Sequence, residues 1–431
     1  MIIDCGIEKG TIKELHGVNC APYKKNHEKN QRLIKKVFEY CNVPRSRLHD
    51  CCGVYGGCYY VDVPNIFRNF DADETKEENY DFYYTDEYIG AIISTGARIV
   101  YRLGVTIEWG SKKYTCHPPK DFFKWARICE HIIMHYNKGW ANGFKYGIEY
   151  WEIWNEPENP PMWTGSKEQF FNLYEIASKH LKSRFPDLKI GGYGSCGFYA
   201  AFRENMSDFF KGFLTFFTDF LQMCKDKHCP LDFYTWHIYT PKVEEIIKSA
   251  DYVRKTLDMY GFNKTESHLN EWNYGAEGGG FDNMATLKGA GFIAAALISM
   301  QKNTSIDLAQ YYCLSAGAIY NGFLDCRTDA YTPVIHVYHV FGEIFKAGKE
   351  VEVISSKEEP YALAAKDIEG KLIALISNYG YKGRAVSVTV KGKGPYTINV
   401  LTNNGFKEIA RGTGETLLKL KKDGVYYIKE N

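Results

Sequence analysis

Two hydrophobic periods alternate along most of this chain. Phe122, Trp125, Cys129, Ile132, Ile133 and Tyr136 recur at spacings of three and four, which lays them on one stripe of a helix. Short runs of β-branched and aromatic residues mark strands at 15–19, 45–50, 97–103, 148–154, 189–192, 231–237, 268–271 and 308–313. Between and after them the helical period returns near 28–40, 86–94, 122–136, 167–185, 207–227, 242–260, 283–302 and 333–347, with Ser166 placed as an N-cap. Strict alternation of strand and helix predicts a parallel, closed (β/α)8 TIM barrel over residues 15–347. From about residue 350 the pattern changes to short strands at 361–365, 371–377, 385–390, 396–401 and 424–428, separated by Gly, Asn and Lys turns. Residues 348–431 therefore read as a small all-β, β-sandwich-like module, which a strand from residues 1–14, at about 2–5, is placed to join. The fold class is α/β.

The stretch 51–84 has no strong helical period and carries Gly56-Gly57 with an acidic patch at Asp71, Asp73 and Glu74. It reads as a long loop leaving the C-terminal end of the second barrel strand, expected to wall a pocket.

Charge and composition narrow the partners. Lys and Arg number 53 against 52 Asp and Glu, which gives no electrostatic reason to expect nucleic acid or an anionic membrane surface. A neutral ligand such as a carbohydrate fits this balance. The sequence shows no signal-peptide pattern and no run long enough to span a membrane, and its 13 cysteines are odd in number and scattered. A cytoplasmic protein with reduced thiols is the expectation. Cys224, His228 and Cys229 lack a second ligand pair at zinc spacing, so they read as structural.

The chemistry gathers where strands give out. Pro157 cannot continue a strand ladder, so Glu156 in Asn155-Glu156-Pro157 falls at a C-terminal strand end, the end of a barrel that carries catalysis. His268-Leu-Asn-Glu-Trp-Asn273 places Glu271 similarly. Two strand-end carboxylates suggest glycosidic-bond chemistry. Glu152 lies inside its strand and reads as a buried structural carboxylate, with Arg102 as its expected partner.

The motifs Trp151-Glu-Ile-Trp-Asn-Glu-Pro-Glu158 and Leu269-Asn-Glu-Trp-Asn273 resemble clan A of the glycoside hydrolases, and family 39 within it, which includes β-xylosidases and α-L-iduronidases. The spacing of the two glutamates suits three β/α repeats of about 30 residues each. The resemblance implies that Glu156 is the acid/base and Glu271 the nucleophile of a retaining hydrolase. It implies that Asn155 binds the sugar 2-hydroxyl, that Tyr239 hydrogen-bonds the nucleophile with His237 nearby, that His49 binds a sugar hydroxyl and that Arg47 supports Glu271. Trp109, Trp163 and Trp272 follow strands three, four and seven and are expected to stack on sugar rings. Neither metal nor cofactor is expected. The implied activity is exo-acting on a β-linked monosaccharide such as xylose. An endo-acting hydrolase, a transglycosylase and a carbohydrate-binding barrel without activity stay open, because residues 48–55, 102–109 and 312–317 do not match the β-xylosidases closely.

Overall fold

The computed structural model describes residues 1–20, 28–51, 60–275, 280–314, 320, 322–325, 328, 330–355 and 360–431, with backbone alone at 28–33 and 280–281. After β1 (Ile2–Thr11) come eight strands: β2 (Gly17–Asn19), β3 (Arg45–Leu48), β4 (Arg98–Leu103), β5 (Tyr150–Asn155), β6 (Lys189–Gly194), β7 (Phe233–Tyr239), β8 (Glu266–Asn273) and β9 (Leu308–Tyr311). They pair in sequence order, all parallel, and β9 pairs back onto β2 to close a barrel. Closure abolishes the sheet edges and aims all eight strand ends at one mouth.

Each strand leads to a helix: α1 (Glu28–Cys41), α2 (Tyr83–Ile93), α3 (Phe122–Asn137), α4 (Lys167–Arg184), α5 (Asp208–Lys227), α6 (Val243–Met259), α7 (Leu287–Lys302) and α8 (Pro333–Ala347). The expected stripe on α3 is the buried one, with Trp125, Cys129, Ile132, Ile133 and Tyr136 all inside. Ser166 starts α4 through a reciprocal capping box with Gln169. The predicted helix 283–302 is broken: a short turn Gly280–Met284 precedes Thr286, whose side chain caps α7 at Gly289. Alanine-rich α7 is buried almost all round because it lies between the barrel and a second sheet, with α7 and α8 both against β11 and β12. Small side chains permit that approach, since a Cβ on Gly291 would stand 2.6 Å from the Asp423 carbonyl.

The second sheet has nine strands: β10 (Lys349–Ile354), β11 (Tyr361–Lys366), β12 (Leu372–Ser377), β13 (Arg384–Lys391), β14 (Tyr396–Thr402), β15 (Gly405–Gly412), β16 (Glu415–Leu420), β17 (Val425–Glu430) and β1. Their order is β15-β14-β17-β12-β11-β10-β1-β13-β16. Alternate residues such as Ile3, Val351, Ala364, Ala374, Val388, Ile398, Leu418 and Ile428 share one apolar core. The opposite face of β11 and β12, with Leu363, Ala365, Ile373 and Leu375, joins the barrel core. β10, β15 and β16 escape sequence reading because they bury few of their residues; β15 and β16 are the two edges of the sheet.

Among the described residues no helix is long and apolar enough to cross a membrane. Each described cysteine is a free thiol. In the long loop, residues 52–59 lie outside the described residues. Its acidic patch turns to α3 and the turn before it: Asp71 pairs with Lys120 at 2.8 Å, and Glu74 with Arg127 at 2.6 Å. Asp62 bonds Arg102 at 2.7 Å and the backbone N–H of Thr106 at 2.7 Å, so the rest of the loop is fastened to the end of β4.

Candidate active site

The end of β5 leaves regular strand geometry. Trp154 (φ 70°) and Glu156 (φ 43°) both adopt left-handed backbone, flanking Asn155. Such conformations cost a non-glycine residue free energy and persist where surrounding contacts fix them. Here the Glu156 N–H donates to the Gly194 carbonyl at 2.7 Å. Gly194 is a requirement of the site, because a Cβ there would stand 2.8 Å from both Asn155 Oδ1 and His237 Nε2.

Arg47 organises the floor. Fully buried, it donates through Nε to Glu152 Oε2 (2.7 Å), through Nη1 to Glu271 Oε1 (2.7 Å) and to Asn19 Oδ1 (3.3 Å), and through Nη2 to Asn155 Oδ1 (2.6 Å). The partner of Glu152 is therefore Arg47 and not Arg102, as the sequence suggested; Arg102 is held by Asp62. Glu152 Oε1 also accepts from Thr235 and Asn270, each at 2.7 Å. Burial would raise Glu152, but the charge and hydrogen bond of Arg47 hold it below the ordinary glutamate value.

Glu271 stands at the centre. Besides Arg47, it accepts from the Tyr239 hydroxyl at 2.8 Å on Oε2, and His237 Nε2 and His49 Nε2 lie 3.6 and 3.8 Å from Oε1. Glu156 faces it from β5. His237 Nδ1 lies 2.8 Å from Glu156 Oε1, and Asn159 Nδ2 donates to Oε2 at 3.1 Å. Burial pushes Glu156 up, but the hydrogen bond and charge of His237 outweigh it and hold the carboxyl below its usual value. Burial likewise pushes His237 down, and the charges of Glu271 and Glu156 reverse that and hold the imidazole above its usual value. The two residues thus form a pair that shares a proton.

Several neighbours were not legible as site residues. Asp50, just past β3 at φ 49°, accepts from the Tyr312 hydroxyl at 2.8 Å, and burial together with the charge of Glu271 pushes it up to about 7. Glu158 accepts from Ser195 Oγ (2.8 Å) and Cys196 N (2.9 Å), and burial, joined by the charge of Glu156, pushes it up to about 7. Tyr320 closes the aromatic side, its ring 5.4 Å from Tyr239 and 5.6 Å from Tyr312. Asn159 and Asn270 do carry a signal, since each lies beside a motif glutamate.

Two expected sugar platforms are corrected. Trp272 is fully buried, because in a strand it must face away from its neighbour Glu271; its ring packs 5.7 Å from Tyr311 behind the barrel wall. Trp163 is buried too, its ring against Trp154 and Phe170 and its N–H on the Ser166 carbonyl. Trp109 is 75% exposed, on the loop after β4. Glu108 anchors that loop by accepting from the N–H groups of Tyr114, Thr115 and Cys116, which outweigh burial and bring its carboxyl down to about 2.

Glu156, His237 and Glu271 each offer one ligand atom within 4.8 Å of the other two. A cation there would meet the Arg47 guanidinium already bonded to Glu271, so the trio is better matched to proton transfer than to a resident metal. Two carboxylates at this separation, one beside an imidazole and one hydrogen-bonded by an arginine and a tyrosine, can protonate and attack the two sides of one bond.

The sequence profile described as Glycosyl hydrolases family 39 matches residues 19–274. A β-xylosidase of Geobacillus stearothermophilus is 27% identical over 212 residues, 46% of this chain and 38% of that protein's length. The chain thus spans well under half the length of that relative. Among solved structures, a glucosidase from Croceicoccus marinus superposes with a TM-score of 0.78 at 22% identity, covering 99% of this chain and 97% of that one. A monomeric β-xylosidase from Caulobacter crescentus gives 0.72 at 14% identity, covering 99% and 98%.

Proposed function

Because the chain belongs to glycosyl hydrolases family 39, we propose that it is a retaining, exo-acting β-glycosidase, β-xylosidase-like, with Glu271 as nucleophile and Glu156 as acid/base. The observation that carries this is the approach of the two carboxylates to within 4.8 Å across the barrel mouth. Double displacement calls for about 5 to 5.5 Å, whereas inversion needs room for a water between groups about 6.5 to 9.5 Å apart.

In the first step Glu271 attacks the anomeric carbon as the glycosidic C–O bond breaks, and the proton held by the Glu156–His237 pair goes to the leaving oxygen. Arg47 and Tyr239, hydrogen-bonded to Glu271 in the resting site, orient its carboxyl for that attack. In the second step Glu156 takes a proton from water, whose oxygen displaces Glu271 from the anomeric carbon and regenerates the carboxylate. Asn155 Oδ1 is occupied by Arg47, which orients its amide N–H groups for the 2-hydroxyl of the sugar.

The choice of a xyloside and of exo action rests on the β-xylosidase relative. The test is hydrolysis of aryl α- and β-glycosides by wild type and Glu271→Ala, with the anomer of the released sugar followed by NMR. Turnover of a β-xyloside with retained configuration, lost in the variant, is expected. Inversion, or equal activity in the two proteins, would overturn the assignment.

A further inference from the structure

Resting on that reading, we propose that Asp50 is a specificity-determining residue that hydrogen-bonds ring hydroxyls of an uncharged glycone and rejects a uronic acid. The site is two-sided about Glu271. Glu156, His237 and Cys196 stand on the side formed by β5, β6 and β7. His49, Asp50 and Tyr312 stand on the side formed by β3 and β9. A sugar whose anomeric carbon meets Glu271, and whose leaving oxygen meets Glu156, lays its ring toward Asp50.

The Asp50 carboxylate is fixed in that position from three elements. Its Oδ2 accepts from Tyr312 at 2.8 Å, and its Oδ1 accepts from the Ile107 N–H at 3.4 Å. His49 Nε2 lies 3.4 Å from the same Oδ1 and 3.8 Å from Glu271 Oε1, so one imidazole links Asp50 to the nucleophile. The side chain keeps 16% of its surface exposed, whereas Arg47 and Arg102 are wholly buried. A carboxylate in this place can take two sugar hydroxyls as an acceptor.

The same place is hostile to a second carboxylate. A uronate would bring its charge beside Asp50 and Glu271 with little water between them. The nearby guanidinium groups are wholly buried and ion-paired: Arg47 bonds Glu152, Glu271 and Asn155, and Arg102 bonds Asp62 through Nη2, with its Nε and Nη1 buried and without a hydrogen-bond partner; Lys112 lies over the ring of Tyr114, 5.2 Å away. The glycone that fits is a neutral pyranose bearing free hydroxyls.

The experiment compares wild type, Asp50→Asn and Tyr312→Phe on an aryl β-xyloside, its 3-deoxy and 4-deoxy analogues and the matching aryl β-glucuronide, with circular dichroism to establish folding. Wild type is expected to cleave the xyloside and leave the glucuronide, and at least one deoxy analogue should lose about 10- to 100-fold in kcat/KM. In Asp50→Asn the parent xyloside should fall by a similar factor while that deoxy penalty largely disappears; Tyr312→Phe, which removes one of the groups that hold Asp50, should show the same trend more weakly. Full deoxy penalties in both variants, or preference of wild type for the glucuronide, would overturn the role of Asp50 and leave the glycosidase reading intact. Silence of wild type on every glycoside would instead sink that reading and this proposal with it.

Discussion

Arg47 reaches Glu271 with Nη1 and Glu152 with Nε, both at 2.7 Å, so a single guanidinium joins the rim of the barrel mouth to its interior. All three side chains are buried, and removing one member of such a set leaves uncompensated charge behind. Arg47→Met should cost about 3 to 5 kcal/mol of stability and abolish turnover. Adding Glu152→Gln should restore part of the stability without the activity. Urea unfolding checks this; a cost near zero for the single variant would contradict it.

The Glu156–His237 pair sets a pH prediction. His237 is raised in the fold, so its contribution is complete below the unfolded histidine value of about 6.5 and is lost as pH rises through the raised one. Glu156 is lowered, so its contribution is present above about 4.5 and lost as pH falls through the depressed value. Between those limits the pair is charged and holds one proton. The alkaline limb of kcat/KM should therefore report loss of that shared proton, above about pH 6.5. His237→Asn, leaving Glu156 alone to keep the proton, should move the limb to lower pH. A profile unchanged in this variant would remove the pair from the proton path.

Gly194→Ala tests the geometry without replacing an ionisable group. The added Cβ would press on Asn155 Oδ1 and His237 Nε2, each 2.8 Å away, so both must shift. Activity should fall at least 100-fold, since misplacement of about 1 Å can cost that much, while far-UV circular dichroism stays that of wild type.

Glu108 gives a stability test away from the reacting groups. Its carboxyl lies near 2 in the fold, so its contribution is present above about 4.5 and fades as pH falls toward 2. Glu108→Gln should lower the melting temperature at pH 7 and bring the two proteins together near pH 2.

Eight alternations of period, and two glutamates where strands give out, made the barrel and its central pair readable from the chain. What was not readable depends on neighbours far away in sequence. Glu152 takes Arg47 because side chains meet across the barrel interior, a pairing that no local spacing encodes. Asp50 shows itself only through its left-handed turn and the hydroxyl of Tyr312, which arrives from β9. Trp272 is a different case, since its place next to Glu271 in a strand already turned it away from the mouth. Strands β15 and β16 lacked a pattern because sheet edges bury too little to need one.

β1 occupies an interior place in the nine-stranded sheet, antiparallel to β10 and parallel to β13. During synthesis it emerges ahead of the whole barrel, while its partners begin only at Lys349 and Arg384. At about 5 to 20 residues per second it waits tens of seconds or longer for them. A strand that precedes the barrel in the chain is thus seated only by strands that follow it, and the sheet ties together the two sides of the sequence that flank the barrel.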